Sequence, residues 1–133
     1  LPFLDVLFRE PTMRYIRRRG VGNIARHERQ LIRRLGEGLS DLPGVSVFWA
    51  ANPAVQAGVL SFRAAGWDCE ELGEALGRRD IALRSGLHCA PLAHRTAGTL
   101  ETGTVRASVS AFNVPQEIPR FVRELRQILS EKP

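Results

Sequence analysis

The apolar residues of this chain change their spacing abruptly at one turn, and that change limits the architectures open to it. Ile16, Ile24, Leu31, Ile32, Leu35 and Leu39 recur at three-, four- and seven-residue intervals among arginines, which predicts a long helix over 12–40. Gly20 and Gly22 interrupt it, so a bend or break is expected near Val21, with Asn23 placed to cap a second segment. Asp41-Leu42-Pro43-Gly44 then stops the helix by turn chemistry, and Val45-Ser46-Val47-Phe48-Trp49 alternates with the two-residue period of a strand. A chain that alternates between these two periods must pack helices against a sheet.

The rest of the sequence repeats the switch. A second strand is expected at about Gly58 to Arg63. Asp68 and Glu71 form a capping-box pattern ahead of Leu72, Ala75 and Leu76, in a helix ending near Arg79. Ile81 to Arg84 and Thr104 to Ser110 are further strand candidates, the second with Val105, Ala107 and Val109 on one face. Ser85 to Gly103 shows no sustained period and is rich in small, polar and reactive groups, as functional loops are. Ile118, Phe121, Val122, Leu125, Ile128 and Leu129 form one apolar stripe, with Asn113 and Pro115 at its entry for cap and first-turn chemistry. The expected fold class is α/β in the α+β sense: a small mixed or antiparallel sheet of about four strands with helices packed on one face. Residues 1–11, which contain Pro2 and Pro11, form no convincing element and read as a linker remnant ahead of a domain over 12–133.

At 133 residues with 44% hydrophobic content, the chain is one domain that needs no disulfide or metal staples. Two cysteines are too few for a disulfide framework, and no window approaches the ~20 apolar residues needed to cross a bilayer. A soluble, cytoplasmic protein with reduced thiols and no membrane association is expected. The formal net charge is +5, yet the basic residues are scattered apart from Arg17, Arg18, Arg19, Arg33 and Arg34, so nucleic acid is not the expected partner. Of the 19 Lys and Arg residues only Lys132 is lysine.

One stretch of the long loop carries chemistry. In His88-Cys89 a thiol sits beside groups able to hold it as thiolate, with Arg84 at a strand end and Arg106 on the following strand. Positive neighbours lower a thiol's pKa, and the thiolate is the nucleophile. From spacing alone a reactive Cys89 and a small buried hydrophobe both remain open. Cys69, beside Glu70 and Glu71 in the first turn of a helix, reads as structural. A zinc site drawn from His88, Cys89, His94, His27 and Cys69 lacks the close cysteine pair or His-x-x-x-His helix that zinc sites use, so no metal is expected. Gly20-Val21-Gly22-Asn23 is only a fragment of a phosphate loop, and it follows a helix rather than a strand.

Ala82-Leu83-Arg84-Ser85-Gly86-Leu87-His88-Cys89-Ala90-Pro91-Leu92 resembles the active-cysteine segment of cysteine desulfurases and selenocysteine lyases, in the class V aminotransferase group of pyridoxal-phosphate enzymes. Gly98-Thr99-Leu100-Glu101-Thr102-Gly103-Thr104-Val105-Arg106-Ala107-Ser108, followed by Phe112-Asn113, is similar to the same family's next stretch. Val21-Gly22-Asn23-Ile24-Ala25-Arg26-His27 and Leu42-Pro43-Gly44-Val45 also fit its C-terminal portion, so the likeness runs from about residue 12. It departs at Leu87, where many relatives carry a second histidine.

The resemblance implies the C-terminal domain of a fold-type I pyridoxal-phosphate enzyme. Cys89 would be the nucleophile that takes sulfur from L-cysteine, or selenium from selenocysteine, leaving alanine and a persulfide. Arg106 would pair with the substrate carboxylate through a planar fork that lysine cannot reproduce. Arg84 would support the site electrostatically, and His88 would assist proton movement or position the loop. Sulfur transfer of this kind implies an acceptor protein and a place in iron–sulfur cluster assembly. Pyridoxal phosphate needs a lysine imine, and Lys132, past the last apolar residue of the final helix, is no candidate. The cofactor is therefore expected on a large domain absent from this chain, which alone would be inactive and bind none. Two other functions stay open: a free-standing persulfide carrier or interaction module, and a remnant whose uncovered apolar surface drives a homodimer.

Overall fold

The structure, a computed structural model, describes residues 2–131, with side chains from residue 9 onward. Among these residues the sheet is antiparallel throughout, in the order β1-β2-β4-β3. Its strands are β1 (Val45–Phe48), β2 (Val59–Ala64), β3 (Arg84–Gly86) and β4 (Thr104–Ser108). Register is set by Phe62 opposite both Val47 and Val105, by Leu60 opposite Ala107, and by Arg84 opposite Arg106. The apolar alternation of β2 and β4 puts Leu60, Phe62, Ala64, Val105 and Ala107 on one face, all buried. Helices α2 (Val21–Ser40), α3 (Cys69–Gly77) and α5 (Glu117–Glu131) close that face. They contribute Leu31, Ile32, Leu35, Leu39, Leu72, Leu76, Phe121, Leu125 and Ile128 to a single core.

The expected sheet with helices on one face is present, and several elements differ in detail. Residues 2–11 are not irregular: they begin helix α1 (Pro2–Arg19), which runs through Pro11. A proline forfeits one backbone bond and costs about 3 kcal/mol inside a helix, and Arg14 pairs with Glu10 across the position at 2.8 Å. The break near Val21 falls at Gly20, whose φ of 85° ends α1 and serves as the N-cap of α2. Asn23 does not cap α2; its Nδ2 donates to Arg19 O at 3.0 Å, satisfying a C-terminal carbonyl of α1 instead. Asp68 caps α3 as expected, accepting from the amides of Glu70 and Glu71.

The third strand lies at 84–86 rather than 81–84, because Ile81 N–H is taken by Leu76 O in the helix exit. The long loop is not without regular structure: it contains α4 (Pro91–Ala97), too short to show an apolar stripe. At the entry to α5, Asn113 Oδ1 accepts from Ser110 N, and the Glu117 carboxylate accepts from Val114 N. No helix among the described residues is long and apolar enough to cross a membrane.

Candidate functional site

The face of the sheet away from the helices is polar for a simple reason. Strand alternation that sends Phe62 and Val105 inward sends Ser61 and Arg106 outward. The ladder registers Phe48 opposite Ser61, Ser61 opposite Arg106, and Arg106 opposite Arg84, in one row across all four strands. Two guanidiniums directly opposite one another repel, a cost a fold bears only where the charge is used. Neither arginine forms an ion pair among the described residues. The Arg106 Nε and the Thr104 hydroxyl are both buried without a hydrogen-bond partner.

The chain leaves β3 at Gly86 and turns back across the Thr104 end of this face. His88 and Cys89 both hold left-handed backbone, with φ of 51° and 59°. Two consecutive non-glycine residues in that region store backbone strain, which clusters at functional sites. The turn exposes Cys89 as a free thiol, and Pro91 opens α4 immediately after it, with Ala90 N–H bonded to Leu87 O. Cys89 is therefore not a small buried hydrophobe.

His88 is half-buried, and its Nε2 lies 3.2 Å from Thr104 O. A carbonyl only accepts, so Nε2 carries the hydrogen and Nδ1 of the neutral ring is free to take a proton. Burial lowers the His88 pKa, and the nearby charge of Arg106, with smaller contributions from His94 and Arg84, lowers it further. Both arginines named from the sequence thus act on the residue next to the thiol.

The remaining candidates are placed elsewhere. Cys69 is buried in the first turn of α3, where desolvation raises its thiol pKa and a Cβ on Gly103 would stand 2.7 Å from its Sγ. His27 Nε2 donates to Asn113 O at 2.8 Å. His94 is buried in α4 with Nδ1 2.8 Å from Thr99 Oγ1, and its ring centroid is 6.0 Å from that of His88. Neither the His94–Thr99 pair nor the unpartnered Thr104 hydroxyl is marked by an apolar period, so sequence reasoning missed both. Among the described residues no three His, Cys, Asp or Glu side chains cluster as a metal site.

Comparison with known proteins matches residues 4–121 to the model of a family described as aminotransferase class-V. The chain is 42% identical over 116 residues to a probable cysteine desulfurase of Mycolicibacterium paratuberculosis, covering 87% of this chain and 16% of that protein. It is 36% identical to a cysteine desulfurase of Synechococcus elongatus, again over 87% of this chain and 18% of the relative. Among solved structures, the apo cysteine desulfurase of Thermococcus onnurineus superposes with a TM-score of 0.82 at 35% identity, covering 89% of this chain and 29% of that one. The cysteine desulfurase CsdA of Escherichia coli, at 24% identity and a TM-score of 0.80, shares the fold. The chain therefore spans less than a third of the length of these proteins.

Proposed function

Because the chain belongs to the aminotransferase class-V family, we propose that it is the C-terminal small domain of a cysteine desulfurase, with 1–11 leading into a domain over 12–133. Cys89 is its sulfur-accepting thiol. The observation that carries this reading is the cross-strand pair Arg84–Arg106, without ion-pair partners, whose charge acts on His88, the residue next to the exposed Cys89. An unpaired guanidinium fork suits a carboxylate, and every amino-acid substrate presents one.

The overall step balances as L-cysteine plus the Cys89 thiol giving L-alanine plus a Cys89 persulfide. The substrate's C–S bond breaks and an S–S bond forms at Sγ, while the proton leaving Cys89 is matched by one gained at the substrate carbon. Arg106 holds the carboxylate, Arg84 adds positive potential, and the free Nδ1 of neutral His88 receives a proton beside Cys89. Exposure of Cys89 leaves the resulting persulfide open to an acceptor protein. Two free thiols fit a reducing compartment such as the cytoplasm.

Pyridoxal phosphate supplies the electron sink that such enzymes use. Positions 2–131 contain no lysine, so no described residue can form its imine, and Lys132 lies outside the described residues. The described residues therefore do not fit the cofactor, which would be held by residues outside them.

The test is mass spectrometry of the full protein after exposure to L-cysteine. A gain of one sulfur atom is expected on the Cys89 peptide, and Cys89→Ser abolishes it. Arg106→Ala raises KM for cysteine by roughly 10- to 100-fold, the loss of a charge-assisted hydrogen bond or two. Sulfur arriving on Cys69, or normal turnover in Cys89→Ser, would overturn the proposal. Persulfide uptake by Arg106→Ala at the unaltered rate from a persulfide donor, with no turnover of cysteine by the parent protein, would favour a carrier.

A further inference from the structure

Buried polar side chains are scarce in this molecule and they are not scattered. Among the described residues, His94, Thr99 and Thr104 are the buried polar ones, at 7%, 1% and 3% exposure. All three lie in the segment that links Cys89 to Arg106. Burying such groups is unfavourable unless hydrogen bonds compensate, so a polar cluster at this place calls for an explanation.

We propose that His94 is a positioning residue for Cys89. Resting on the reading of Cys89 as the sulfur acceptor, the inference is that His94 and Thr99 pin α4 and the thiol turn ahead of it to the entry of β4. Thr99 is the hub of the pin. Its amide donates to His94 O at 2.8 Å, its carbonyl accepts from Gly103 N at 2.8 Å, and its hydroxyl meets His94 Nδ1 at 2.8 Å. The same hydroxyl lies 3.5 Å from His94 O, toward which it can act only as a donor. The 2.8 Å bond between Nδ1 and the hydroxyl is the short one of the two.

At the other end, His94 N–H donates to Ala90 O at 3.1 Å, the carbonyl one residue beyond Cys89. Main chain and ring together, His94 thus joins the first turn of α4, directly after the thiol, to Thr99 ahead of the strand bearing Arg106, and the ring's bond to Thr99 Oγ1 is the part that a substitution removes. A loop from Leu87 to Gly103 without that pin would leave Cys89 tethered but unaimed, and displacements of about an ångström are costly in a reacting geometry. The His94 ring also lies 6.0 Å from that of His88, tilted by 38°.

The experiment pairs His94→Leu with His94→Asn, because an asparagine amide can occupy the Nδ1 position without a titrating ring. Hydrogen exchange on the full protein reads the pin, and steady-state desulfuration reads its consequence. His94→Leu should speed exchange at the Thr99 and Gly103 amides about tenfold and lower kcat about tenfold, corresponding to one hydrogen bond. KM should change less than about twofold because Arg106 stays on its strand. His94→Asn should restore both to within about threefold of the parent. Should His94→Leu not fold, Thr99→Val replaces it with the same expectations, and Thr99→Ser as its rescue.

Unaltered exchange and kcat in His94→Leu would overturn the proposal. So would His94→Asn that keeps protection yet loses kcat, since the ring would then act through its proton. If exchange behaves as expected but the parent protein forms no persulfide, the pin stands and the desulfurase reading fails.

Discussion

The two faces of the sheet are built from the same strands and obey opposite rules. The face under α2, α3 and α5 is apolar and packed to near-zero exposure, with Leu60, Phe62 and Val105 at 1%, 0% and 0%. The other face opposes two arginines, leaves a hydroxyl and a guanidinium nitrogen without partners, and carries two strained residues in its thiol turn. One face holds the fold together. The other contributes little stability and keeps charge and reactivity in a fixed arrangement, which is the usual division where a rigid scaffold carries a site.

The largest test of that division needs only neighbouring residues. Phe62→Ala removes a ring that is fully buried and meets Phe121 edge-on at 6.0 Å, so unfolding should lose about 3–5 kcal/mol. Ser61→Ala, one position along and on the opposite face, should change stability by less than about 0.5 kcal/mol. Urea denaturation measures both. Comparable losses in the two variants would mean that the open face is packed as a second core, and the comparison would break.

A smaller effect is expected where the two faces meet. Gly103 has a φ of +64°, and a Cβ there would stand 2.7 Å from Cys69 Sγ and 3.1 Å from Gly86 O. Gly98 has a similar φ of +70° with nothing within 4 Å. Gly98→Ala should therefore cost only the backbone penalty, about 1–2 kcal/mol, whereas Gly103→Ala adds overpacking of about 1–3 kcal/mol. Equal thermal shifts would show that the Gly86–Gly103 contact gives way freely and does not tie the thiol turn to the core.

The same contrast explains how much of the molecule was legible beforehand. Burial imposes a period, so Leu31 to Leu39, Val45 to Phe48, Phe62, Val105 and the Ile118 stripe marked the closed face from sequence. Elements without an apolar period were misread or unseen: α1 because of Pro11, β3 because a three-residue strand carries too few positions to alternate, and α4 because seven residues make too few turns. At the site, Cys89, His88, Arg84 and Arg106 were named from residue chemistry and a family likeness. Their arrangement was not, since the register that opposes Arg84 to Arg106 depends on partner strands 22 residues apart. The His94–Thr99 pair and the role of Asn23 at the end of α1 are contacts of five and four residues' separation at helix ends, and they depend on where those helices stop, which carries no apolar period.

The smallest expected effect is also the one that isolates the open face, because among the described residues the core under the helices contains no histidine or carboxylate. In the folded protein burial, then Arg106, hold the His88 pKa below its ordinary 6.5, against the opposing hydrogen bond to Thr104 O. Unfolding releases the ring to its ordinary value. Well above pH 6.5 both states are neutral at this residue and its contribution to stability is whole. As pH falls through 6.5 the unfolded chain binds the proton first, so stability declines until the folded-state value is reached and then levels off. A His88→Asn variant lacks that step, and the difference between the two stability profiles from pH 8 to pH 5, taken from urea midpoints, isolates it. Arg106→Gln should shrink the step without abolishing it, because burial remains the larger cause. A flat difference profile would mean that folding leaves the His88 pKa unshifted, and one that rises toward acid would mean that the folded protein favours the protonated ring, whose Nδ1 then has no capacity to take a proton from beside Cys89.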